Sequence, residues 1–93
     1  MRRKKIEEMA DFFKILSTPS RIQLLFLLSE KESSVTELAE EMGVTQSSVS
    51  HQLNILRLNN IVTCRREGKQ IFYILSDPWM RRLLLLNEYT LKT

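Results

Sequence analysis

A chain of 93 residues makes one domain with a core of only marginal size, and 43% apolar with 27% charged residues marks it as globular rather than disordered. No apolar run exceeds residues 24–28, far short of a membrane span, and one cysteine makes neither an internal disulfide nor a zinc site by itself. The N-terminus starts basic and turns acidic without a signal-peptide hydrophobic stretch, so the expectation is a cytoplasmic protein with no membrane partner.

The first helix is predicted over residues 3–16, with Ile6, Met9, Ala10, Phe12, Phe13 and Leu16 apolar. Adjacent phenylalanines cannot share one narrow face, so part of this stripe is expected to meet a partner subunit. The leading Arg2-Arg3-Lys4-Lys5 reads as a solvated end rather than an arm for DNA. Thr18 and Pro19 then start a second helix, Thr18 as cap and Pro19 at the first helical position. It runs to about residue 29 and is apolar nearly all round, which suits the centre of a bundle. Residues 29–34 are polar and read as a loop.

Ser34-Val35-Thr36-Glu37 is a capping-box pattern, and Val35, Leu38, Ala39 and Met42 give the apolar stripe of a short third helix. Gly43 falls where a left-handed helix end is wanted. Thr45 then caps a fourth helix whose core stripe is Val49, Leu53 and Leu56. Ser47, Ser50, His51 and Asn54 lie about half a turn from that stripe, with Gln46 in the first turn. Taken alone, this is equally a surface helix with a serine-rich start. A capped helix, a Gly-containing turn and a second capped helix, over residues 34–58, is a helix-turn-helix signature. Short polar side chains at the start of its second helix suit base edges in a major groove.

Residues 61–66 and 70–75 read as two strands joined at Glu67-Gly68. Ile61, Ile71, Tyr73 and Leu75 are expected to pack partly on the helices, because an isolated hairpin is marginal in water. The hairpin is a wing, over residues 61–75, whose Arg65, Arg66 and Lys69 are placed to touch phosphate. Net charge follows the same division. It is +3 overall, but residues 33–43 carry Glu37, Glu40 and Glu41 for −3, while residues 44–75 carry Arg57, Arg65, Arg66 and Lys69 against Glu67 for +3.

Ser76-Asp77-Pro78 starts a last helix over residues 78–91. Trp79, Met80, Leu83, Leu84, Leu85, Leu86, Tyr89 and Leu91 cover most of its circumference, more than one small domain buries. The first and last helices are therefore expected to form a homodimer interface through Phe12, Phe13, Trp79, Leu83 and Leu86. Cys64, with no second cysteine, reads as a buried inert thiol, and His51 as a polar groove residue. No nucleophile with a base, acid pair or Gly-rich phosphate loop is present, so the chain is not expected to be an enzyme.

The stretches FFKILSTPSRIQLLFLL, SSVTELAEEMGVTQSSVSHQLNILRLNNIV and RREGKQIFYIL, in this order, resemble the ArsR/SmtB family of winged helix-turn-helix transcriptional regulators. The resemblance covers nearly the whole chain. It implies a mainly α fold with a small β-hairpin, in the order α-α-α-α-β-β-α, as a single domain over residues 1–93 that dimerises through its end helices. It also implies repression of a pseudo-palindromic operator in double-stranded DNA, relieved by a metal ion or another, here unidentified, inducer. The expected reading residues are Thr45, Gln46, Ser47, Ser48, Ser50 and His51, with Arg65, Arg66 and Lys69 in the wing. The family's metal-sensing motifs do not carry over. Residues 35–42 hold no cysteines, and although Asp77 matches one ligand position, Trp79, Thr90 and Thr93 occupy the others. No metal and no cofactor is expected, and Asp77 reads as a helix cap. The rival reading is a winged helix that binds protein partners and no longer DNA; it calls for an acidic or apolar reading face.

Overall fold

The computed structural model describes residues 2–91, with side chains described as far as residue 86. The side chains of Tyr89, Thr90 and Leu91, and all of Thr93, lie outside the described residues. In chain order the elements are α1 (Arg3–Ile15), α2 (Pro19–Glu30), β1 (Ser33–Ser34), α3 (Val35–Met42), α4 (Gln46–Leu58), β2 (Val62–Glu67), β3 (Gln70–Leu75) and α5 (Pro78–Leu91). The expected order of five helices and a hairpin holds, with one addition. β1 pairs antiparallel with β3, making a three-stranded sheet in the order β1-β3-β2. Two serines carry no strand pattern of their own. They become a strand because β3 offers them its second edge, Ser33 opposite Tyr73 and Ser34 opposite Phe72.

The core is built on α2. Leu24 and Leu25 are wholly buried, as are Leu53 and Leu56 of α4 and Met80 of α5. Thr18 stands at the start of α2 in an extended conformation, but its hydroxyl makes no cap, contrary to expectation. Its carbonyl takes the Arg21 and Ile22 N–H groups instead, at 3.0 and 3.2 Å, and Pro19 has no N–H to satisfy. From α1 only Ile15 is buried; Ile6, Met9 and Phe13 are exposed, so most of its apolar stripe faces away from the core.

The helix-turn-helix is held by local chemistry at each end. Ser34 Oγ accepts from the Glu37 N–H at 3.2 Å, and Glu37 Oε1 accepts from the Ser34 N–H at 3.1 Å, closing the capping box. Hydrogen bonding from Ser34 holds the Glu37 carboxyl below its ordinary value, so the carboxylate half of the box is at full strength above the ordinary value and weakens as pH falls through the lowered one. At the other end of α3, Gly43 takes φ 67°. The Val44 N–H then reaches back to the Ala39 carbonyl at 3.1 Å and the Gly43 N–H to that of Glu40 at 3.3 Å. α4 ends in the same way on Asn60, φ 60°, with the Ile61 and Asn60 N–H groups returned to the carbonyls of Leu56 and Arg57, each at 3.0 Å.

The hairpin runs in register from Val62 opposite Leu75 to Glu67 opposite Gln70, with Gly68 first in a two-residue loop. Strand β2 starts one residue later than expected because Ile61 is a junction. Its side chain is buried, and its carbonyl accepts from the Ser76 and Asp77 N–H groups at 3.0 and 3.2 Å, tying the start of α5 to the end of α4. Leu75 is buried and Tyr73 half-buried as expected, whereas Ile71 is exposed. It lies beyond the last residue of β3 that β1 pairs.

No heavy atom lies within 4 Å of a Cβ built on Gly43, so only its backbone resists substitution. Gly43→Ala is therefore expected to lower stability by about 1 kcal/mol, the cost of a left-handed alanine, while Asn60→Gly is near neutral. Urea unfolding of the two variants measures this; equal midpoints would contradict it.

Candidate DNA-binding surface

α4 presents two chemically distinct sides. Val49, Leu53 and Leu56 are buried, whereas Gln46, Ser47, Ser48, Ser50, His51 and Asn54 are exposed. Thr45, also exposed, caps the helix by accepting the Ser48 N–H at 3.1 Å. The expected reading residues thus share one exposed helix start. Its free N–H groups and the positive end of the helix dipole lie there as well. Asn54 accepts from Arg57 Nη2 at 3.3 Å, which holds that cation along the helix one turn further on.

Between the two sides sits a residue the sequence reading missed. Gln52 is half-buried; its Oε1 accepts from Arg21 Nε at 2.8 Å and its Nε2 donates to Ser20 Oγ at 3.4 Å. Arg21 and Ser20 belong to the first turn of α2. The amide therefore pins the rotation of α4 about its own axis relative to the helix at the centre of the core. A glutamine in a polar run carries no periodic signal; its partner, Arg21, lies 31 residues earlier.

The three wing cations differ. The Arg65 guanidinium donates to Glu32 and Glu67 and stacks over the Phe72 ring. The hydrogen bond from Arg65 holds the Glu32 carboxyl below its ordinary value of 4.5; the pair is intact above that range and lost as pH falls through the lowered value. Among the described residues, Arg66 and Lys69 have no ion-pair partner, and both are exposed. Arg65 was grouped with them from sequence as a phosphate contact, yet its charge is already matched by two carboxylates. Cys64 is exposed, not buried as expected: it lies on the edge strand β2, where only Val62, the first residue, is buried.

The predicted interface residues also gather. Phe12, Phe13, Trp79 and Leu83 line one groove of about 340 Å³ between α1 and α5, with Met9, Lys5, Glu8 and Asp77. Phe13 and Trp79 are 56% and 73% exposed, so among the described residues the groove is an open apolar surface. Leu86 lies outside that groove and is exposed on the same helix. Asp77 Oδ1 accepts from the N–H groups of Trp79 and Met80 at 2.8 and 3.3 Å, the helix cap read from sequence. Among the described residues no group of three His, Cys, Asp or Glu side chains is disposed to hold a metal.

Two capped helices across a short turn, the second exposed at its start and followed by a cationic hairpin, define a winged helix-turn-helix domain. The model of the bacterial regulatory protein arsR family matches residues 18–63, from the start of α2 into β2. The chain is 43% identical over 77 residues to the transcriptional repressor SmtB homolog of Synechocystis sp., covering 83% of this chain and 58% of that protein. It is 45% identical over 81 residues to the biofilm growth-associated repressor of Xylella fastidiosa, covering 87% and 71%. The transcriptional repressor BigR from Xylella fastidiosa shares the fold with a TM-score of 0.83 at 38% identity, over 98% of this chain and 97% of that one. The homodimeric winged helix-turn-helix DNA-binding domain Mb0332 from Mycobacterium bovis gives a TM-score of 0.84 at 27% identity, over 97% and 86%. The chain belongs to the arsR family, whose members here are transcriptional regulators and not enzymes.

Gln52→Leu removes both hydrogen bonds and leaves the half-buried Arg21 Nε without its acceptor. A loss of about 1 kcal/mol is expected in urea unfolding. An unchanged midpoint would show that the amide does not hold α4.

Proposed function

We propose that the protein is a homodimeric transcriptional repressor that binds a pseudo-palindromic operator in double-stranded DNA. The observation that carries this reading is the exposed start of α4, where Gln46, Ser47, Ser50 and His51 stand clear of a buried apolar stripe. Each α4 enters a major groove by this end, Gln46 and His51 at base edges and the serines near the backbone. Arg66 and Lys69 meet phosphate beside it. The acidic side chains Glu40 and Glu41 sit on α3, so charge favours the approach of α4 and the wing over that of α3. Repression is supported by the names of the Synechocystis and Xylella relatives, although the chain spans only 58% of the first. Among the described residues no helix is long and apolar enough to cross a membrane, and a DNA target sets the site of action in the cytoplasm.

The two copies join through α1 and α5, which covers the groove lined by Phe12, Phe13, Trp79 and Leu83. At roughly 25 cal/mol per Å² of apolar surface, leaving such side chains wet would forgo several kcal/mol. The homodimeric Mycobacterium bovis domain supports this assembly. The dimer then offers two α4 helices about 34–36 Å apart, matching successive major grooves on one DNA face. Release from DNA by an inducer is in keeping with this family.

Phe13→Glu with Trp79→Glu tests the assembly, because both positions are exposed in the monomer. Folded, monomeric protein with weakened duplex binding is expected by light scattering; unchanged dimer mass contradicts the interface. Groove and backbone roles separate under an operator panel at two salt concentrations. Gln46→Ala should flatten preference at one base pair per half-site, where a good contact gives about 1–3 kcal/mol of discrimination. Arg66→Ala should weaken all duplexes alike and reduce the salt slope by about one unit per lost contact. The reverse pattern would exchange the roles of helix and wing.

A further inference from the structure

Arg65 on β2 stands opposite Phe72 on β3, and Phe72 stands opposite Ser34 on β1. This row crosses all three strands and is the last one that does. Beyond it the hairpin is two-stranded, with only the pairs Arg66–Ile71 and Glu67–Gln70, and it carries both unpaired cations, Arg66 and Lys69. A two-stranded ribbon has little stability of its own. At its base the Arg65 guanidinium lies 4.8 Å from the Phe72 ring centroid. Its Nε donates to Glu32 Oε1 at 2.8 Å, Nη2 donates to the same oxygen, and Nη1 donates to Glu67 Oε2 at 2.7 Å. Glu32 precedes by two residues Ser34, the cap of α3. One side chain thus joins the outer strand of the wing, the start of its tip, and the segment that enters the helix-turn-helix.

We propose that Arg65 is a positioning residue rather than a DNA ligand: bridging Glu32 and Glu67 across Phe72, it sets the wing against α3 so that Arg66 and Lys69 reach phosphate. This rests on the DNA-binding reading and deepens it, dividing the wing's cations into one strut and two anchors. A lone exposed ion pair would be too weak for the task. Here the planar fork meets two carboxylates while its face is occupied by an aromatic ring, a geometry that a flexible single-point cation does not reproduce. A phosphate reaching Arg65 would have to displace both acids.

The two roles give opposite signs for Glu32→Gln. Were Arg65 a phosphate ligand, neutralising Glu32 would free it and remove a nearby negative charge, and duplex binding would tighten. As the partner of a strut, Glu32→Gln weakens binding, roughly threefold, because the wing loosens. Arg65→Gln weakens it to a similar degree with the salt slope unchanged, and the double variant is no weaker than Arg65→Gln alone. Arg65→Lys fails to rescue. In the DNA-free protein, amide hydrogen exchange across residues 65–72 is faster in both single variants, at unchanged melting temperature. Tighter binding by Glu32→Gln, or a salt slope lowered by about one unit per contact in Arg65→Gln, overturns the strut. Should the unsubstituted protein bind no duplex at any salt, the DNA-binding reading fails on its own. The exchange measurement then decides the strut separately: faster exchange supports it, and unchanged exchange overturns it.

Discussion

Everything the exposed side of α4 presents depends on the burial of Val49, Leu53 and Leu56 in the core they share with the leucines of α2 and α3. These three residues are at most 1% exposed, and they fix which arc of α4 is left for solvent. A rotation of one residue about the helix axis, roughly 100° at 3.6 residues per turn, would carry Gln46 and His51 away from any groove. Apolar burial alone tolerates small rotations, since it is non-directional. The Gln52 amide adds direction. It converts a greasy contact into one with defined hydrogen-bond partners on Ser20 and Arg21. In the proposed function, the side chains that meet DNA are thereby mounted on a helix that is set before DNA arrives, which avoids the entropic cost of ordering a loop on binding.

The same logic links α4 to the rest of the chain. Both helices of the helix-turn-helix end on a left-handed residue, Gly43 and Asn60, and each ending returns two N–H groups to the helix it closes. The second ending delivers Ile61, whose carbonyl receives the start of α5. α4, the wing and the proposed dimer helix therefore meet at one residue. On the opposite edge of the sheet, Ser34 is at once a strand residue paired with Phe72 and the cap of α3. A shift at either junction would be felt in both the wing and the helices, because close-packed elements move as units.

Much of this was legible in the sequence wherever a local rule sets local structure. The capping box at Ser34 and Glu37, the left-handed Gly43, the Asp77 cap and the stripe through Val49, Leu53 and Leu56 each depend on neighbours within a few residues, and each stands as read. What was not legible depends on residues distant in the chain. β1 exists only because β3 lies beside it. Gln52 acts through Arg21, and Arg65 is claimed by Glu32, 33 residues away. Cys64 is expected to be buried from the usual habit of free thiols, but it sits on an edge strand that is covered only at its first residue, Val62. The Thr18 cap failed for a subtler reason: the sequence marks where α2 begins, and the rotamer that would complete the cap is a separate choice.

In the proposed function, α4 reads and the wing anchors. Amide chemical shifts recorded during titration with two duplexes of equal length and different sequence test it most directly. The amides of Gln46, Ser47, Ser50 and His51 are expected to shift differently with the two duplexes, while those of Arg66, Gly68 and Lys69 shift alike with both and revert together as salt is raised. Shifts confined to α3, or α4 amides that respond identically to every duplex, would contradict it.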